Sequence, residues 1–211
     1  MATVGFLGET SLGSFLAALA SADNPHGTVS TAAFASAMGT SLLVKAAALP
    51  KTRSDSSEDR QVLLQSSIAL RDVQHQLIET IETETAIRVF AARRMPTDSD
   101  RQRKERAAAL QVALRAAAEV PLEVMRLCVA ALSQAERVAA HASQAASPTI
   151  QSAVALLRVG FDGARTNLES KLSSLTDASY TTSVIDEIPR LSEEAATKAR
   201  TAEELMRLPA A

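Results

Sequence analysis

Three groups of residues in this sequence could do chemistry. Glu82 falls on one helical stripe with Leu64, His75, Ile78, Ala86 and Val89, which would set a carboxylate against a partly apolar face and suit it to proton transfer. The same spacing also fits a glutamate at a solvent edge. Residues 21–44, SADNPHGTVSTAAFASAMGTSLLV, run from a polar loop with one Pro and one Gly into a helix of small residues. Thr28 and Ser30 stand where a helix start leaves N–H groups unpaired, a cradle for an anion or a carbonyl. Behind them Ala32, Ala33, Ala35, Ser36, Gly39 and Ser41 present little bulk, which admits either a flat ligand or a closely packed backbone. The third group is Gly160, Gly163, Asn167, Ser170 and Lys171, a small polar face on which Asn167 could hydrogen-bond a ligand amide or simply face water.

Other chemistries lack their residues. His26, His75 and His141 have no short ligand spacing, and the single Cys128 permits neither an internal disulfide nor a thiolate cluster, so no metal site is expected. Neither GxSxG nor GxxxxGKS occurs. The basic run RRMPTDSDRQRKER, residues 93–106, is diluted by Asp98, Asp100 and Glu105 and carries no aromatic, so it reads as a solvated helix connection.

Long amphipathic helices must position these groups. Ser11 can cap a helix over residues 12–22 with Leu12, Phe15, Leu16 and Leu19 on one face, and a second helix runs from about Val29 to Ala48, ending at Leu49-Pro50. A third spans Gln61 to Arg94, with Leu63, Leu70, Val73, Leu77 and Ile81 as its apolar stripe. Residues 95–100 break it, and Ser99 or Asp100 caps a fourth, in which Pro121 should kink rather than end the helix. A fifth carries Ile150, Val154, Leu157, Phe161, Ala164, Leu168 and Leu175, with Gly160 and Ala164 allowing a tight crossing. Thr176 to Thr182 reads as a turn, and a last helix should follow Ile188-Pro189. The expected fold is all-α: an up-and-down bundle of about five or six long helices in one domain over residues 1–211, with Ala-rich faces that suit a two-fold homodimer.

A net charge of −2 with intermixed signs gives no field for nucleic acid or an acidic membrane, so neither partner is expected. The N-terminal apolar run lacks a basic start and contains Glu9, and no stretch has the sustained Leu, Ile and Val content of a membrane span. A cytoplasmic protein is the expectation.

The segments SLGSFLAALAS, the Pro/Gly loop, ASAMGTSLL, Met95-Pro96, Arg106 with LQVAL, VPLEVMRLC, and Asn167 with SLTD, taken in order, resemble the cyclodeaminase family. That family includes the cyclodeaminase domain of formiminotransferase-cyclodeaminase and the bacterial methenyltetrahydrofolate cyclohydrolases. The resemblance implies a dimeric helical bundle that handles a folate one-carbon unit, closing formimino-tetrahydrofolate with loss of ammonia or hydrolysing the methenyl form. It implies no cofactor beyond the tetrahydrofolate derivative as substrate. Laid on the family pattern, Glu82 takes the place of the third-helix Asp and would be the catalytic acid/base, while His26, Gly27, Thr28, Ser30, Asn167 and Lys171 would hold substrate.

Several of these positions differ from the family pattern. The family's Pro-x-Pro-Gly-Gly-Gly-Ser loop reads Asn24, Pro25, His26, Gly27, Thr28, Val29, Ser30 here, which would add side chains at 28 and 29 where a backbone approaches the ligand or takes φ > 0. The Ser-Asp opening the next long helix falls on Pro148 and Thr149, and a second Asn falls on Lys171. Two outcomes stay open: a diverged cyclodeaminase or cyclohydrolase with reduced or altered activity, or a non-catalytic helical dimer, a binding or scaffold protein that kept the fold.

Overall fold

The computed structural model describes residues 11–21, 27–91 and 99–207, with the backbone alone at 85, 86 and 88–91. Six α-helices account for most of them, and no β-strand occurs among the described residues. Helix α1 (Leu12–Leu19) starts where Ser11 Oγ accepts the Ser14 N–H at 3.1 Å. Helix α2 (Thr28–Ala47) follows an extended Gly27 and stops ahead of Leu49-Pro50. Helix α3 (Ser57–Ala91) begins four residues before the expected Gln61, because Ser56 Oγ accepts the Asp59 N–H at 3.1 Å and Glu58 and Asp59 favour the positive helix end. Helix α4 (Asp100–His141) opens on a Ser99–Gln102 capping box and continues through a buried Pro121. A 3-10 turn, Gln144–Ala146, leads into α5 (Ser147–Leu172).

Helix α6 (Ala178–Arg207) corrects one expectation. It starts eleven residues before Pro189 and carries that proline inside it. Asp177 Oδ1 accepts the Tyr180 N–H at 3.0 Å, which nucleates the first turn, and Tyr180 and Val184 bury on the same stripe as Leu191, Ala195 and Ala199. Packing of that stripe holds the helix across a proline that lies on its exposed side.

Helix α2 is the central member of the bundle, against α3, α4 and α5, while α6 covers α4. By length and composition it could cross a membrane, yet its small residues are mostly enclosed by the neighbouring helices. Its crossing with α5 is close enough to exclude a methyl group: a Cβ at Gly160 would stand 2.7 Å from the Ala32 carbonyl, and one at Gly39 2.9 Å from that of Ala153. The Ser36 hydroxyl beside this crossing donates to the Ala32 carbonyl of its own helix at 2.8 Å and lies 3.1 Å from the thiol of Cys128 on α4. Burial pushes that thiol up to about 12, far from the reactive range. In α1 only Phe15 turns inward, onto Phe34 at 4.9 Å; Leu12 and Leu16, expected on the same buried face, are exposed.

One polar latch joins the two loops at the end of the bundle where α2 finishes. Asp59 accepts from the Ser54 hydroxyl at 2.6 Å and the Ser54 N–H at 2.9 Å, and its Oδ1 lies 2.7 Å from His141 Nδ1. The Arg53 N–H bonds the His141 carbonyl at 2.8 Å, and the Arg53 guanidinium bonds the Leu205 carbonyl near the end of α6. Asp55 beside it takes φ 53°, a left-handed conformation that its own carboxylate supports by accepting the Thr52 N–H. Burial alone would raise the Asp59 carboxyl, but the bonds from Ser54 and His141 overcome it and hold it well below the usual carboxylate range.

A carboxyl lowered in the folded state contributes stability above its unfolded value, about 4, and loses it as pH falls through the folded one. Asp59→Asn should therefore destabilise the protein by about 1–3 kcal/mol at neutral pH. Its melting temperature should then fall less steeply than the native protein's below pH 4. Parallel melting curves for the two proteins across that range would show that the latch carries no such linkage.

Candidate functional site

The helices alternate in direction, so the start of α2, the last turns of α3 and the end of α5 meet at the opposite end of the bundle. Three N–H groups, those of Thr28, Val29 and Ser30, open α2 beyond the first intrahelical bond, which runs from the Thr31 N–H to the Gly27 carbonyl at 3.2 Å. Into this end reaches a carboxylate from α3: the Ser30 hydroxyl donates to Glu84 Oε2 at 2.5 Å, with Ser30 fully buried and Glu84 3% exposed. A short hydroxyl–carboxylate bond of this kind contributes about 1.5–3 kcal/mol and fixes the plane of the carboxylate. On the other side Asn167 of α5 donates its amide N–H to Thr28 Oγ1.

Of the residues expected to form the site, four are thereby joined. Gly27 caps α2, Thr28 and Asn167 bond to each other, and Ser30 holds a carboxylate. Lys171 follows Asn167 by one turn on the same side of α5 and is half-buried. His26 lies outside the described residues. Glu82 is half-buried on α3 but, two residues from Glu84, points roughly 200° away around the helix. Helix α3 thus turns Glu84, not Glu82, toward α2.

The stripe that contained Glu82 is in its described part an outer one, since Leu64 and His75 are exposed. Glu84 is the residue that reading the sequence missed, and its signal was present. The buried line Leu63, Leu70, Leu77 repeats every seven residues, and the next step is Glu84. A glutamate at a core position of an otherwise apolar stripe marks a group that needs a partner.

Two further expectations change at this end. Thr28 and Val29 do not intrude on a glycine-like loop, because both are already helical and Val29 buries into the core at 1% exposure. Gly27 is extended, and no glycine among the described residues takes a positive φ. Gly160 and Gly163 belong to the α2 crossing, not to a ligand face, since a Cβ on either would touch residues of α2.

A carboxylate anchored by a buried hydroxyl near a helix start can accept and return a proton, and the N–H groups of that start suit a polar ligand. Among the described residues no three His, Cys, Asp or Glu side chains converge as a metal site.

A family model described as formiminotransferase-cyclodeaminase matches residues 11–190. Among solved structures, the chain is similar to formiminotetrahydrofolate cyclodeaminase from Thermotoga maritima, with a TM-score of 0.81 over 94% of this chain and 96% of that one, at 17% sequence identity. No curated protein sequence matches.

Proposed function

The chain belongs to the formiminotransferase-cyclodeaminase family, and on that premise we propose that it acts on the one-carbon unit of a tetrahydrofolate-like ligand, with Glu84 as the proton-transferring carboxylate. The reaction is closure of a formimino group with loss of ammonia or hydrolysis of the methenyl form. Both pass through an amidine-like carbon. A base must take the proton from the attacking nitrogen or water, and an acid must supply one to the departing nitrogen; one carboxylate does both in turn. The observation that carries the reading is the buried Ser30–Glu84 bond at the start of α2. Asn167 and the α2 N–H groups would orient the ligand's polar edge, with His26 and Lys171 as further substrate contacts and Glu82 as the second candidate for the acid/base. No cofactor is required by this chemistry. The experiment is turnover of methenyl-tetrahydrofolate, followed at its absorbance band, by the native protein and by Glu84→Gln and Glu82→Gln.

A second reading, a non-catalytic dimer, is favoured by one observation: Thr28 and Asn167 bond to each other, which closes α2 on α5 where a ligand would be held. Folate binding without turnover is its signature. Both readings include a homodimer. Its support is the start of α4, where no residue from Asp100 to Val112 is buried and Leu110 and Val112 are 49% and 70% exposed. Light scattering should give twice the chain mass, and a monomer mass at micromolar concentration rejects the assembly.

A further inference from the structure

A hollow of about 440 Å³ lies between α5 and α6, lined by none of the residues assigned above. Phe161 and Ala195 floor it, and three arginines, Arg158, Arg165 and Arg200, stand at its walls. Arg158 and Arg165 are seven residues apart on α5, two turns, so their backbones are separated by about 10 Å along one face. Helix α6 returns antiparallel after the short connection 173–177, and Arg158 faces Glu203 across it. Arg200, one turn before Glu203, is therefore level with Phe161 and Asp162, between the two α5 arginines. The three guanidiniums form a row.

Little holds them in that row from within the protein. The Arg158–Glu203 contact is 3.4 Å with the arginine 60% exposed, and Arg165 pairs with Glu169 of its own helix at 3.0 Å, 44% and 48% exposed. Pairs of this kind contribute little and yield to a better acceptor. Arg200 makes no hydrogen bond or ion pair among the described residues. Guanidiniums present planar forks suited to phosphate and carboxylate oxygens. Asp162 and Glu203, in the same hollow, oppose an anion.

The geometry points to a binding site for an extended polyanion, one carrying two or three negative groups along roughly 10 Å, of the oligophosphate or polycarboxylate class. It stands independently of the folate reading. The test is calorimetric titration with orthophosphate, tripolyphosphate and citrate at constant ionic strength. Tripolyphosphate should bind at least tenfold more tightly than orthophosphate. Arg165→Gln and Arg200→Gln should each weaken it about fivefold or more, and Asp162→Asn should tighten it, with melting temperatures unchanged. Tripolyphosphate binding without citrate assigns the site to oligophosphates, and binding of both assigns it to polyanions including polycarboxylates. Equal weak binding of orthophosphate and tripolyphosphate, or affinities indifferent to all three substitutions, overturns the proposal.

Discussion

Glu84→Gln should lower methenyl-tetrahydrofolate turnover by about 10²- to 10⁴-fold, the range for loss of a positioned acid/base group, while Glu82→Gln leaves the rate within a few-fold of native. The contrast follows from placement on α3. Glutamine keeps the shape of Glu84 and can still accept the Ser30 hydroxyl, so the fold should survive and the loss should appear in kcat. Ser30→Ala removes the hydroxyl that donates to the carboxylate and should cost a smaller factor, because the Ser30 side chain positions Glu84 while its backbone N–H is kept. Equal rates for the native protein and Glu84→Gln would end the assignment, and a large loss confined to Glu82→Gln would return the role to that residue.

The difference between those two glutamates also measures what a sequence reveals. Periodicity located the helices, since Leu63, Leu70, Val73, Leu77 and Ile81 are all buried as their spacing requires. It failed at Glu84 because a charged residue is ordinarily read as marking the outer face. Here the heptad line places it inside, where the Ser30 hydroxyl, 54 residues earlier in sequence, donates to it. A partner so distant in sequence leaves no local pattern. The α6 start was lost for the related reason that tertiary burial of Tyr180 and Val184 outweighs the local signal of Pro189. Ser11 and Ser99, whose capping roles depend on immediate neighbours, were legible.

Gly160→Ala is expected to destabilise the protein by about 1–3 kcal/mol or more, a large effect for one methyl group. The added Cβ would stand 1.9 Å from Ser36 Oγ, which can rotate, and 2.7 Å from the Ala32 carbonyl, which cannot without moving α2. Ser36→Ala in the same chain removes only the first clash and should restore part of the loss, a partition that thermal melts of the two single variants and the double variant measure. A Gly160→Ala protein that melts with the native one would mean that α2 and α5 do not approach this closely. The consequence reaches the site, because Gly160 precedes Asn167 by two turns of α5 and Ser36 follows Thr28 by two turns of α2. Any wedge between the helices at Gly160 also draws Asn167 from Thr28. The small residues of α2 and α5 thus set the spacing at which the α2 start, Asn167 and Glu84 meet, so Gly160→Ala should lower turnover along with stability.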